Sequence, residues 1–571
     1  MKPLLQIPRL ILFIFLFFFL LFSAHSQCIN WAASGTGDTN GGFPAGVAVD
    51  INGNSYFTGG FFKQIIFGGT TLSADTGNGS QQGLFLTKYN PSGILQWSKV
   101  IAVGVDPFAF QAITSDATSL FVYGGAQSMK VGNDSSATAI IYLIKVDFDG
   151  NVVWDKLYSA TGGFQNCFSS VVPDNSGGVV AGGRFRQRLT LGTSSLDAGN
   201  SNKSFLTHID LNGTVLWAKQ AAATGSTTLS SRINSVHLKT TGNIVACGLY
   251  TDSLQFDNVL VTESNPNTAD KSKIWYGQFD STGACLWLKG ETTLSNSAAT
   301  GFDCAYAITT DDNDKIYIAG RISDTSSVFG TTVYAPGLGD AFVAKLNANG
   351  NYLWIQRLIK STPNGFAGLF DGLNVYANNL VEASGWIVDT CTLGNLNLYS
   401  VGSNLLTASF NKSSGAVQKA VISSGGSTIT QSSAFDTSGN AFAASYFAGT
   451  FNYSNGTLTS ASDSDSDPVL WKVCRAELDL SAPFEQETGS RILVFPNPAS
   501  GVCNLKISQT GNHLQFSLCD MKGIVLQRKE LINQPDISVF QFDVTHYLPG
   551  EYFIKIVIEK EVAVKKLVVL R

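Results

Sequence analysis

Two hairpin patterns alternate along most of this 571-residue chain, and neither can bury its apolar faces alone. The first pattern is an apolar strand, then Asp or Asn, two residues, Gly, and a strand ending in Trp. It reads "LFLTKYNPSGILQWSK", "IYLIKVDFDGNVVWDK", "SFLTHIDLNGTVLWAK", "WYGQFDSTGACLWLK" and "FVAKLNANGNYLWIQ", with Trp97, Trp154, Trp217, Trp287 and Trp354 spaced 57 to 70 residues apart. A sixth copy, "LLTASFNKSSGAVQK", has Gln418 at the Trp position. The second pattern is a strand, a turn and a strand closing on small residues, as in "VAVDINGNSYFTGGF" and "SVVPDNSGGVVAGGRF". It occurs seven times. Each copy is followed by a variable Gly/Ser/Thr-rich stretch, often with an "FG" or "LG" step, that leads to the Trp hairpin.

Each repeat is therefore four antiparallel strands, which is the unit of a β-propeller blade. A blade exposes two apolar faces and must stack on neighbours. The pairs Gly59-Gly60, Gly124-Gly125 and Gly182-Gly183 suit close approach of neighbouring backbones, and the Trp residues suit the space between blades. The expected fold is all-β, a seven-bladed propeller over residues 27–474.

The part count is uneven, and this predicts how the ring closes. The seventh first-hairpin is followed by "DPVLWKVC", a strand with no Trp partner after it. "CINWAAS", at Cys28–Ser34, is a Trp strand with no partner before it. Together they complete the seventh blade, so the array is closed by its N- and C-terminal strands. An open ring would leave two free edges, an aggregation hazard. By alignment Cys474 takes the place of Asn90 and Cys28 that of Ile94. These positions face each other across a three-residue hairpin loop, at a Cα separation of about 5.5 Å, within disulfide reach. Such a bridge would stabilise the ring by about 4 to 5 kcal/mol in the chain-entropy model. The other cysteines, Cys167, Cys247, Cys285, Cys304, Cys391, Cys503 and Cys519, are expected to be free.

Residues 1–26 read as a secretory signal peptide. Lys2 and Arg9 precede the apolar run Leu10–Phe22, and a small-residue segment ends at Ser26, with cleavage expected between Ser26 and Gln27. The run is too short for a spanning helix, and no other run in the mature chain is long enough. Gln27 before Cys28 is not the small residue that a lipoprotein signal carries. Net charge is −5 without a basic patch, which argues against nucleic acid as a partner.

Residues 475–490 are polar and aperiodic, a linker. Residues 491–571 change pattern to about seven short strands, a small β-sandwich. The segment carries Pro496-Asn497-Pro498-Ala499 with Gly501, then Asp520 and Gly523, then Leu548, Gly550 and Tyr552, and Lys565-Lys566 near the end. In these residues it resembles the type A C-terminal sorting domain of the type IX secretion system of Bacteroidetes. "EKE" at Glu559–Glu561 departs from the Gly or Asn turn of that pattern. The resemblance implies handling by the type IX machinery, passage through the periplasm and across the outer membrane, and removal of this domain with surface attachment or release. The array itself resembles the bacterial seven-bladed propeller repeats called SBBP.

No catalytic constellation emerges. His208 stands where Lys88 and Lys145 stand in other repeats. His237 lies in a first strand, and His513 and His546 lie in the C-terminal segment. No His or Cys spacing suits a metal, and no cofactor is expected. Asp50, Asn52 and Asn54, and Asp147, Asp149 and Asn151, imitate the start of a calcium loop. Position 12 is Phe61 or Tyr158 instead of Glu, and turn chemistry accounts for both segments. The acidic run of Asp463, Asp465 and Asp467 reads as a solvated loop. Along the inward strands only Asp50, His237 and Asp436 are notable titratable groups. The expected function is a binding or adhesion module for an extracellular glycan or protein. The alternative is a secreted polysaccharide- or protein-degrading enzyme with its site at the central channel.

Overall fold

The computed structural model describes residues 29–473 and 492–569. The exceptions are 38–41, 75–81, 106–108, 164–165, 225–230, 264–270, 295–301, 361–365, 377–378, 399, 401–402, 423–427, 454–455, 461–466, 496–501, 508–510, 520–524, 535–537, 549 and 559–560. The chain divides into two compact units, Met1–Ala476 and Glu477–Arg571. Regular structure among the described residues is all β.

Among the described residues of the larger unit, a sheet of four antiparallel strands recurs seven times, six of them meanders. The first sheet holds Gly42–Val49, Ser55–Phe62, Gln82–Tyr89 and Leu95–Val105. The five that follow keep this order, from Ala109–Ser115 through Val417–Ile422. The seventh is built differently. Thr428–Phe435, Ala441–Phe447 and Asp467–Val473 are joined by Ile29–Ser34 as fourth strand. The first strands of successive sheets lie side by side, and Gly42–Val49 lies beside Thr428–Phe435 as well as Ala109–Ser115.

The Asp/Asn turn has a clear cause. In the third sheet's second hairpin, Asp210 Oδ1 accepts the backbone N–H of Asn212 and of Thr214 at 2.9 and 2.8 Å. Asn90, Asp147, Asp280 and Asn347 make equivalent bonds at the matching position, and Asn411, whose turn is one residue longer, accepts Ser413 and Ser414 N–H. The side chain thus mimics a backbone turn, which only Asp, Asn or Ser/Thr can do at that length. The Gly three residues on, such as Gly283 at φ +80°, occupies the left-handed region that closes the loop.

The same turn receives the preceding sheet's Trp. Trp154, Trp217 and Trp354 donate their indole N–H to the carbonyls of Leu211, Ser281 and Lys412 at 2.9, 3.0 and 3.2 Å. Each acceptor directly follows the Asp or Asn of the next sheet's turn. Trp97 and Trp287 lie against Gly150 and Gly350, where an added methyl would come within 2.9 and 2.6 Å of the ring, although the buried Trp97 Nε1 has no acceptor among the described residues. The Asp/Asn, the Gly and the Trp of the previous repeat are therefore one device, which joins neighbouring sheets.

A second joint was not expected from the sequence. The variable "FG/LG" stretches form small outer hairpins that hydrogen-bond to an extension of the previous sheet's fourth strand. Ser128–Lys130 pairs with Val103–Val105, Ser253–Gln255 with Ala222–Thr224, and Cys391–Leu393 with Leu358–Lys360. Ser326–Ser327 pairs likewise with Thr292–Thr293, and Leu189 bridges to Ala160. Neighbouring sheets thus share backbone ladders as well as packed side chains.

The seam follows both rules. Ile29–Ser34 pairs antiparallel with Asp467–Val473 in the register Ile29 to Val473 and Trp31 to Lys472. The irregularity between these pairs recurs in the first sheet, where Tyr89 faces Leu95 and Lys88 faces Trp97. Trp31 donates to Pro91 O at 3.1 Å and lies over Gly93. Thr36–Gly37 pairs with the first sheet's outer hairpin at Ile65 and Ile66. Asp467, expected in a solvated loop, is instead buried at the start of a strand, where its Oδ1 accepts Gly37 N–H at 3.2 Å. Asp463 and Asp465 lie outside the described residues.

Two glycines of the pairs serve a purpose that was not expected. Gly59 and Gly183 face a carbonyl of their own first strand, where an added methyl would lie 2.1 Å from Phe43 O and Cys167 O. A bulge in that strand causes the crowding, one residue being left out of the pairing each time, such as Ala45, Ser169, Asn234, Tyr306, Asp371 and Gln431. Close approach between sheets, as expected of these pairs, falls at Gly125, where an added methyl would lie 1.9 Å from Asn166 O, and at Gly182, against Ile233; Gly46 adds another, against Ile113 N.

The described residues of the smaller unit form seven strands in two sheets. Ile492–Phe495, Val502–Ile507 and Ser538–Asp543 form one. Val525–Gln534, Gly511–Cys519, Gly550–Ile558 and Glu561–Val569 form the other. Cys503, Leu505, Phe516, Leu518, Phe542, Ile554, Ile556 and Leu567 make its core.

Candidate functional site

The bulges aim a polar group from each of several first strands, and three arginines stand among them. Cys167 and Arg184 are cross-strand partners in the third sheet, and Cys304 and Arg321 hold the same repeat position in the fifth. Arg232, on the fourth sheet's first strand, reaches between them. Its terminal nitrogen donates to Cys304 Sγ at 3.5 Å, and its guanidinium lies 6.0 Å from the Tyr306 ring. Asn234, the bulged residue beside it, donates to Ala305 O at 2.7 Å and Cys304 Sγ at 2.9 Å. Arg321 stacks 4.5 Å over Phe366.

The electrostatics of this arc are unusual for a buried region. Burial holds the thiols of Cys167 and Cys304 above the usual range, against the pull of the neighbouring arginines, so they stay neutral. They supply no counter-charge. None of the ion pairs among the described residues involves Arg232, and its Nε is withdrawn from solvent without a partner there. Arg321 feels the charge of Asp303, so the uncompensated guanidinium is that of Arg232. An uncompensated guanidinium at such a place is costly. In the sixth sheet, burial pushes the bulged Asp371 up to about 7, and its Oδ1 has no partner among the described residues. Serines after the bulges tie neighbours together: Ser170 and Ser235 accept the N–H of Val236 and Ile308 at 3.1 and 3.2 Å.

Sequence reading missed this arc because it began each first strand after the bulge, at "SVHL" or "AITT". The polar residues precede that point. The signal was present as "SRINS", "CAYAI" and "GLFDG", where a polar residue breaks strand alternation.

The residues singled out from sequence lie elsewhere. Asp50 closes its turn by accepting Asn52 and Asn54 N–H, and its other oxygen accepts Tyr56 O–H and the Asn54 amide. Asp147 is engaged likewise by Asp149 and Asn151. Asp436 pairs with buried Lys472 at 3.5 Å, and His208 takes that lysine's role toward Asp174 at 2.7 Å. Burial lowers His237 to about 4. Among the described residues, no group of three or more His, Cys, Asp or Glu could hold a metal. Among the described residues, Cys167, Cys247, Cys285, Cys304, Cys391, Cys503 and Cys519 form no disulfide with one another. Cys28, Cys474, Ser26, Gln27, Pro496, Asn497, Pro498, Gly501, Asp520 and Gly523 lie outside the described residues. Gly550 and Tyr552 begin a strand whose partner carries Lys565 and Lys566, and the Tyr552 hydroxyl donates to Leu548 O at 2.8 Å. No described helix is long and apolar enough to cross a membrane.

No curated protein matches the chain in sequence. Among solved structures it is similar to a polysaccharide lyase of family PL25, an ulvan lyase (10% identity, TM-score 0.41, covering 76% of this chain and 96% of that one). It is similar also to a copper-bound fungal alcohol oxidase of the AA5 family (13%, 0.37, 95% and 98%) and to Kuenenia stuttgartiensis hydrazine synthase (11%, 0.37, 78% and 99%). At these TM-scores the likenesses carry no argument about activity. Residues 493–570 match the secretion system C-terminal sorting domain, so the type IX machinery handles this protein, which is exported and then secreted or held at the cell surface.

Proposed function

We propose that the exported chain is a closed seven-bladed β-propeller that binds an extracellular ligand at one mouth of its central channel. Closure is supported by the cyclic adjacency of the first strands and by the pairing of Ile29–Ser34 with Asp467–Val473. Two sequence irregularities then have one cause. The seventh sheet has no covalent second turn, so the sixth has no Gly to receive a Trp, and Gln418 stands there. The turn's Asp/Asn position, no longer needed for capping, is Cys474. Continuing the register from Ile29 and Val473 by one residue makes Cys28 the partner of Cys474, and we propose the disulfide between them.

Binding is carried by one observation: Arg232, without a counter-ion, among hydroxyl and amide groups brought by adjacent sheets. The alternative, a secreted polysaccharide- or protein-degrading enzyme, is favoured by Asp371, whose raised pKa suits a general base at neutral pH. The two separate on one experiment. The exported protein is incubated with a panel of polysaccharides and proteins, and both retention and chain cleavage are followed. Retention without cleavage is expected; cleavage that stops in Asp371→Asn makes it an enzyme.

A further inference from the structure

We infer that the arginine arc is a carboxylate seat, centred on Arg232, for the uronic-acid units of an acidic glycan. The inference rests on the binding reading above and names its ligand. A guanidinium needs an anion or water at its edge, and the faces of two of these three are already taken. Arg232 has Tyr306 at one face and gives one terminal nitrogen to Cys304 Sγ, so the rest of its N–H edge is what remains to bind, while Arg321, stacked on Phe366, adds positive charge beside it. A planar fork of this kind matches a carboxylate by paired hydrogen bonds, and its stacked ring fixes the geometry beforehand. Arg184, within electrostatic reach of Arg232, adds positive charge from the third sheet. The third, fourth and fifth sheets thus each contribute one cation, a spacing for an extended polyanion more than for a single ion.

The surroundings favour a sugar over an acidic peptide. Asn234, Ser169 and Tyr306 are the bulged residues of the same three first strands; the Asn234 amide N–H groups are spent on Cys304 and Ala305, which leaves its carbonyl oxygen to accept from a sugar hydroxyl. The two neighbouring thiols are neutral and offer no repulsion. Nothing else among the described residues neutralises Arg232, so the ligand's carboxylate would remove a desolvation cost that the free protein bears.

The test is calorimetric titration of the full exported chain with tetragalacturonate, with maltotetraose and tetraglutamate as controls. Tetragalacturonate is expected to bind and the controls are not. Arg232→Gln should weaken it about 10- to 100-fold, Arg232→Lys less. Arg232→Gln should also melt no lower than the parent, because it removes an unpaired charge. If that variant does not fold, the parent's own salt response decides. Uronide affinity should fall clearly between about 0.05 and 0.5 M NaCl, and an unchanged affinity overturns the seat. Equal binding by Arg232→Gln, tighter binding of tetraglutamate, or no binding of tetragalacturonate also overturns it. Binding of maltotetraose that survives Arg232→Gln leaves the binding module standing and removes only the seat. Shortening of the uronide in an Arg232-dependent way keeps the seat and overturns the module in favour of the enzyme.

Discussion

The seventh sheet and the six before it are made of the same strands, yet they differ in how the last two strands are joined. In six sheets a covalent turn joins them, capped by Asp or Asn and closed by Gly. In the seventh the fourth strand arrives from the other end of the array. The strands keep their register, their irregularity and their Trp, while every residue that served the turn is gone. The repeat motif therefore encodes two separable things. The strand pattern builds the sheet, and the Asp/Asn, Gly and preceding Trp build the joint to the next one.

Several changes would break this contrast. Removing residues 29–34 should have the largest effect, because it strips the seventh sheet of its edge and the first of Trp31; a urea melt should lose its single cooperative transition. Trp154→Ala should cost about 1 to 3 kcal/mol, less than for a fully buried aromatic, because the ring is only partly covered. Gly283→Ala should cost about 1 to 3 kcal/mol, since Ala at φ +80° is strained and its methyl meets Trp217 at 2.8 Å. Gln418→Trp should change stability by no more than about 0.5 kcal/mol, because no turn awaits the ring. A gain comparable to the Trp154 loss would mean that a receiving surface exists.

The pH response sharpens the comparison between turn carboxylates and the bulged one. Asp147 and Asp280 sit below the usual carboxylate range, held by the hydrogen bonds of their turns despite some burial. Their contribution is present above the unfolded pKa and lost as pH falls through the folded one. Asp371 is raised by burial to about 7, so its sign is opposite. Stability associated with it is full below about pH 4 and declines as pH rises to about 7. Asp371→Asn should flatten that decline in melts taken between those values, with little effect at the acid end.

Much of the fold was legible from hairpin signals alone. The Asp/Asn-x-x-Gly turns and the Trp spacing gave the four-strand repeat, and the odd count located the seam pairing. Turn chemistry was also the right account of Asp50 and Asp147. The outer hairpins were not legible as joints, because their partners are the preceding sheets' extensions and no local pattern names them. The arginine arc was hidden for a related reason. A bulge shifts the alternation by one residue, so Arg232 and Asn234 could not be assigned to a face by period two. Asp467 misled by composition, since an acidic run does not reveal that its last member begins a strand.

The central claim is that the ring is closed by its own two ends, with Cys28 and Cys474 where a turn would otherwise stand. A non-reducing peptide map of the exported protein tests it most directly. The account predicts a peptide pair joined through Cys28 and Cys474 and split by reductant. Both cysteines recovered as free, alkylated thiols, or either one bridged to a different cysteine, would contradict it.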